Sequence, residues 1–352
     1  MRDDQLLTKT LITRLNQQPI ALAELNHQTR SAPRRKRRWT RWLDNGFNLI
    51  VYGTAVLLLL SEIVKALGLS RGIWGLDYTT DPPNWFRVGV ITCIVLSIAA
   101  AVVMHFRWMF QTLALSANSI TRERQSNNWD MLILTGIDAG KIVQGKWWAT
   151  VRRMTRPYMM LGILRALLVV WAGALNGNLY IYQIYGRTGF LLIQVIVAGA
   201  GVFILTMANL FFTAACGVSA FNKRSGLALA RAIGTRLILI VALTGLALLI
   251  LRLFTRYDSP TVIPSIVAFG LLSLFDNGAA LGSQLATYRY GGYSAYGVSL
   301  SIDPVVAIYL PAAFLTLLLY ALLTFLMLRF AQWQVVRGGA TPPLTPKPVK
   351  TD

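Results

Sequence analysis

Leu191–Phe212 reads LLIQVIVAGAGVFILTMANLFF, twenty-two residues without one charge. As a helix it is about 33 Å long at 1.5 Å per residue, and the hydrocarbon core of a bilayer is about 30 Å thick. Five further runs of this kind flank it. They are Phe47–Leu67, Val88–His105, Tyr158–Leu175, Leu237–Leu253 and Val305–Phe330, the last with Pro311 near its start. In lipid the backbone must satisfy its own hydrogen bonds, so all six are expected to be helices. The second is expected to continue past Arg107 towards Ala117. The fold class is therefore an all-α polytopic membrane protein with six transmembrane helices.

Composition agrees. Of 352 residues, 55% are hydrophobic and only 14% charged, yet the formal net charge is +20. A nucleic-acid binder spreads lysine and arginine over a soluble face. Here the basic residues sit between apolar runs, the pattern of topology control beside anionic lipid. With the N-terminus inside, the inner segments hold 25 lysines and arginines and the outer segments 7. Both termini are therefore expected to be cytoplasmic. Cys93 and Cys216 lie within apolar runs, with no metal-ligand spacing around them. The first apolar run is too long for the core of a signal peptide.

Three parts are expected. Residues 1–46 form a basic cytoplasmic segment. Within it Pro19–Arg30 (PIALAELNHQTR) reads as an amphipathic helix on the membrane surface, followed by the cluster Arg34–Trp39. Residues 47–333 form the membrane domain, and 334–352 a disordered, proline-rich cytoplasmic tail. Within the membrane domain, residues 262–285 differ from the six spans. Pro264–Phe275 is apolar but only about 18 Å long as a helix. Asp276-Asn277-Gly278 follows as a turn signal. A re-entrant helical hairpin before the last span fits this pattern. The alternative, a seventh span interrupted by a polar turn, puts the C-terminus on the opposite side.

The spans lack coupling chemistry. Glu62 is the only acidic residue in the six runs, three residues from Lys65, so a local ion pair is its simplest role. Arg165 is placed to snorkel. His105 and His27 have no acidic neighbour with which to relay protons or hold a metal. The stretch Gly140–Trp147, GKIVQGKW, approaches a phosphate-binding loop but has Trp147 where Ser or Thr must hold magnesium. The chain is therefore not expected to be an enzyme or to bind ATP itself.

The most informative stretch is Ser119–Thr150, SITRERQSNNWDMLILTGIDAGKIVQGKWWAT. Glu123 and Arg124 end the extended second helix. Asn127 and Asn128 suit caps. Trp129, Met131, Leu132 and Leu134 supply an apolar face too short to span, and Gly136 breaks it. Asp138 is placed to cap a second amphipathic helix, roughly Ala139–Arg153, with Lys141 and Lys146 near lipid headgroups and Trp147 and Trp148 in the interface. The whole reads as helix, turn, helix along the membrane face.

This stretch resembles the permeases of the ABC-2 transporter family, whose pattern is close to I-x-x-E-R-E-x-G-T-x-E-x-L-L-x-T-P-L followed by E-I-V-x-G-K. Ile120, Glu123 and Arg124 match its start. Trp129, Asp130, Met131 and Leu132 match its middle, with Asp for Glu. Thr135 and Ile137 flank the place of the proline, and Ile142, Val143, Gly145 and Lys146 match its end. Gln125 replaces the second Glu, Asn127-Asn128 replaces Gly-Thr, and Gly136 replaces Pro. The resemblance implies a coupling segment over 119–140, with Glu123–Thr135 docking into an ATPase subunit. Pro19–Arg30 then looks like the family's cytoplasmic elbow helix. The implied partners are an ABC ATPase, which carries ATP and magnesium, a second permease copy or paralogue, and membrane lipids, with no nucleic acid. The implied site is the plasma membrane. Ala198–Gly201 suits either an interface between two permeases or packing within one chain. A membrane-embedded enzyme acting on lipid-linked substrates and a non-transporting scaffold are the competing readings.

Overall fold

The computed structural model describes residues 18–30, 42–57, 84–125, 137–175, 188–220, 225–254, 262–278 and 304–339. Eight helices account for nearly all of them. In chain order they are α1 (Pro19–Arg30), α2 (helical over 42–57), α3 (Asn84–Gln125), α4 (Ala139–Leu175), α5 (Thr188–Ser219), α6 (Ser225–Phe254), α7 (Val262–Asp276) and α8 (Pro304–Gly339). No strand occurs among the described residues.

Five helices, α3, α4, α5, α6 and α8, are long and apolar enough to cross a membrane, as a polytopic membrane protein requires. Their outer faces support this. Val103, Ile238, Val241, Phe314 and Leu322 are all exposed. In water such a belt promotes association, whereas in lipid it faces a matching solvent. The first expected span is described only to residue 57, and its remainder, with Glu62 and Lys65, lies outside the described residues.

α5 sits at the centre, touching α3, α4, α6 and α8. Phe47, Trp108, Tyr158, Leu161 and Leu210 build one core among α2, α3, α4 and α5. Leu113, Phe212, Ala232, Leu274 and Tyr320 build a second with α6, α7 and α8. Several serines and threonines in these helices are neutralised locally. Thr112 donates to the Trp108 carbonyl at 2.7 Å and Ser116 to that of Thr112 at 2.7 Å, the usual way to carry a hydroxyl in an apolar helix.

α3, α4 and α8, of 42, 37 and 36 residues, are about 63, 55 and 54 Å long. Each exceeds the hydrocarbon thickness well beyond what a modest tilt absorbs. The C-terminal turns of α3, α5 and α8 and the N-terminal turns of α4 meet at one end. There Ile120, Ile142, Val143, Val218, Ala331 and Val335 form a cluster of their own.

One expectation changes. Ala139–Arg153 is not a separate amphipathic helix, because it runs unbroken into the expected third span as α4. Pro157 lies inside that helix and removes only the donor for the Arg153 carbonyl, which a long packed helix absorbs. Ala198 and Gly199 pack within the chain. Ala198 joins Val169 and Val202, and a Cβ on Gly199 meets Val170 and Ala166 of α4. Gly201 faces open space.

α7 ends as the turn signal implies. Asn277 has φ 57° and Gly278 φ 77°, and the Gly278 amide donates to the Ser273 carbonyl at 3.1 Å. This is the left-handed helix stop that glycine and asparagine favour. The end is buried, with Asn277 fully enclosed. The Tyr320 hydroxyl of α8 lies 2.8 Å from the Asn277 side chain and 3.1 Å from the Leu274 carbonyl. Asp276 is the last helical residue. The second limb of the expected hairpin, 279–285, lies outside the described residues.

Gly217 marks the tightest approach. A Cβ there overlaps the Ser116 hydroxyl and crowds the Leu113 carbonyl of α3. Gly217→Ala is expected to destabilise the chain by about 1–3 kcal/mol. Gly245→Ala, whose Cβ meets nothing within 4 Å, should be neutral or stabilising by up to about 1 kcal/mol. Thermal unfolding in detergent compares the two, and equal midpoints contradict the close α3–α5 packing.

Candidate functional site

The site forms where α1 lies against the end of α3 and the start of α4. α1 begins with Pro19, whose missing amide costs nothing in a first turn. The Leu22 amide donates to the Gln18 carbonyl at 3.1 Å. The inward face of α1 is Ala21, Glu24 and Gln28, spaced three and four residues apart, so two of its three buried side chains are polar. The helix docks on the protein through this line, while Leu22 is exposed.

α4 starts beside it. The Asp138 carbonyl accepts from the Lys141 and Ile142 amides at 2.9 and 3.2 Å, which makes Asp138 the N-cap, as its residue type favours. Two turns later Gly145 faces α1. A Cβ there would lie 3.1 Å from the Ile20 Cβ, so glycine lets the two helices touch by backbone.

Lys146 follows, 2% exposed. Its ammonium has three protons, and each has a partner. Glu24 Oε2 accepts at 3.0 Å, Glu123 Oε1 at 3.1 Å and the Ser119 carbonyl at 3.2 Å. Glu24 is equally engaged. Its Oε2 also accepts from Arg122 at 2.9 Å, and its Oε1 from Gln28 Nε2 at 2.9 Å. Arg153 of α4 donates to the Gln28 carbonyl. Two carboxylates thus face Lys146 and Arg122 in a neutral foursome, three of whose members sit on α3 and α4 and the fourth on α1. Burial opposes the charge on Glu24, but Lys146 and then Arg122 outweigh it, holding the carboxyl below its usual range.

This arrangement explains the spacing in the sequence. Glu123 and Lys146, twenty-three residues apart, are an ion pair. Ile120, Ile142 and Val143 fill the apolar cluster beside it. Gly145 admits α1. Lys146 is therefore an interior clamp and not a headgroup contact. Trp147 is half-buried and donates to the Phe211 carbonyl of α5 at 3.1 Å. Gly140–Trp147, the stretch resembling a phosphate loop, forms the first turns of α4.

Other candidate positions fall elsewhere. The backbone of Arg124 is in the last turn of α3, and its side chain lies outside the description. Asn128, Trp129, Asp130, Leu132, Thr135 and Gly136 lie outside the described residues. Asp276, Asn277 and Gly278 belong to the buried end of α7, apart from the clamp. Glu24, Gln28 and Arg122 were not singled out as site residues from sequence. The available signal was Glu24 as the sole acid of α1 in a strongly basic chain. Among the described residues no group of His, Cys, Asp and Glu is placed to hold a metal.

No family model, curated protein or solved structure matches the chain.

Glu24→Gln removes the buried carboxylate of a partly exposed foursome, a loss of up to roughly 3–5 kcal/mol. Hydrogen exchange of residues 19–30 should rise by the corresponding factor while the spans keep their protection. A depressed folded-state pKa contributes stability above the ordinary carboxylate range and loses it as pH falls through the folded value. Protection of α1 should therefore hold from pH 8 to 5 and fall only at pH below the usual Glu range. Loss of protection already at pH 6, or no change in the variant, contradicts the clamp.

Proposed function

We propose that this chain is the membrane-spanning permease subunit of an ATP-binding-cassette transporter, driven by a separate ATPase subunit. The supporting observation is the clamp. Glu123 stands where the chain enters the segment 126–136 and Lys146 stands shortly after it leaves, and the two are ion-paired at 3.1 Å. Glu24 ties Lys146, and Arg122 beside Glu123, to α1. A push on the intervening segment reaches α3 and α4 together, since neither can shift without breaking buried charge contacts. Transport by rigid-body switching needs such a part, because packed bundles move between discrete arrangements and do not deform smoothly.

In this reading Trp129, Leu132 and their neighbours dock into the ATPase, which holds ATP and magnesium. Both termini are cytoplasmic in the plasma membrane, six helices span, and residues 262–285 turn back from the outer side. Two permeases, identical or paralogous, stand side by side with one ATPase each. The run of lysines and arginines near the clamp fits a cytoplasmic placement. The apolar spans favour an amphiphilic cargo, moved outward.

The test is co-expression with ABC ATPases from the same genome and purification through a tag on this chain. Trp129→Ala with Leu132→Ala should reduce ATPase recovery and its stimulation roughly tenfold or more, with membrane insertion unchanged. Full recovery and stimulation by the double variant contradict the docking role. Capture of an unrelated cytosolic protein in place of an ATPase favours a scaffold.

A further inference from the structure

Arg236 of α6 is 4% exposed, and its guanidinium does not lose its charge in a protein. Its surroundings are neutral. Nη2 donates to Asn209 Oδ1 at 2.8 Å, and Nη1 donates to the Thr213 hydroxyl. The Phe212 ring lies 5.8 Å from the guanidinium carbon. The described ion pairs all involve other cations. Two donors in this group have no partner among the described residues, Arg236 Nε and Asn209 Nδ2. They belong to side chains already joined to each other. The Tyr158 hydroxyl, fully buried, lies beside Thr112 and Thr213.

An unpaired buried cation is among the most unfavourable arrangements a protein carries. Amide and hydroxyl dipoles and one aromatic face offset only part of it. A water molecule satisfies spare donors but brings no charge. An anion does both. The residues also sit at a level an anion reaches, since Asn209–Thr213 close the apolar run of α5 and Arg236 precedes the run Leu237–Leu253 of α6. An ionisable group within a membrane-spanning helix points to a function, with its partner to be named.

We propose that Arg236, Asn209 and Thr213 bind one small anionic group between α5 and α6, a halide or a single oxygen of a phosphate. Arg236 Nε and Asn209 Nδ2 donate to it. Two sources share this chemistry, a free anion and the phosphate of a phospholipid whose chains lie on the exposed leucines of α6. The site stands whether or not the chain is a permease.

The test uses the full chain, purified free of lipid in a neutral detergent. Unfolding midpoints are compared in chloride and in gluconate at equal ionic strength, and then in gluconate with phosphatidylglycerol or with phosphatidylcholine. A midpoint rise of about 5 °C in chloride identifies a free anion. A rise with either lipid, and none in chloride, identifies a lipid phosphate, which both headgroups carry. Asn209→Asp places a carboxylate at the same distance and shape. It should raise the midpoint in gluconate and abolish the response to either anion. Arg236→Gln should also lose the response, and the aspartate variant keeps the test decisive if the glutamine variant fails to fold. Equal midpoints for the native chain in all four conditions, or an undiminished response in Asn209→Asp, overturns the proposal.

Discussion

One ammonium group organises the charged end of this molecule. Lys146 is buried with its three protons directed at Glu24, Glu123 and the Ser119 carbonyl. Desolvating a lysine is costly, and a buried ion pair adds little net stability over an apolar replacement. What the foursome adds is register. An apolar contact between α3 and α4 tolerates sliding, whereas Lys146 satisfies all its bonds at one level only. Removing any member leaves a charge stranded, so the contact is made fully or not at all.

That constraint fits the remainder of the bundle. The spans are held by shape and weak polar contacts, with an outer surface that lipid does not oppose. Apolar burial between helices drives little in such a medium, and close packing at small residues carries more of the association. Gly217 against Ser116 and Ala198 with Gly199 against α4 are such places. In the proposed transporter, the charged clamp at one end would act as the lever and the closely packed spans as the parts it moves. The buried end of α7, closed by Asn277 and Tyr320, is irregular backbone of the kind tolerated at membrane depth only inside protein.

Much of this was legible in the sequence. Pro19–Arg30 starts and stops where its residues imply, the second span runs on as a helix past Ala117 and ends at Gln125, and Asp276-Asn277-Gly278 ends a helix. Each signal is local, carried by a proline, a turn residue or an apolar period. The failures are non-local. Lys146 read as a headgroup contact because its partner Glu24 is 122 residues away. Ala139–Arg153 read as a separate surface helix because its basic residues interrupt the apolar pattern, and only packing on α1, α3 and α5 shows why the helix continues. Arg236 drew no attention in the sequence, since burial leaves no mark on composition.

The central claim is that α1 is seated on the first turns of α4 by the clamp. A cysteine pair at Ile20 and Gly145, in a chain with Cys93 and Cys216 replaced by serine, measures this directly. A Cβ built on Gly145 lies 3.1 Å from the Ile20 Cβ, so the helices need part by only a few tenths of an ångström to reach the roughly 3.5–4.5 Å of natural disulfides. Mild oxidation in native membranes should cross-link the pair nearly completely, and less so with Lys146→Met added. Two freely alkylated cysteines that fail to cross-link contradict the account.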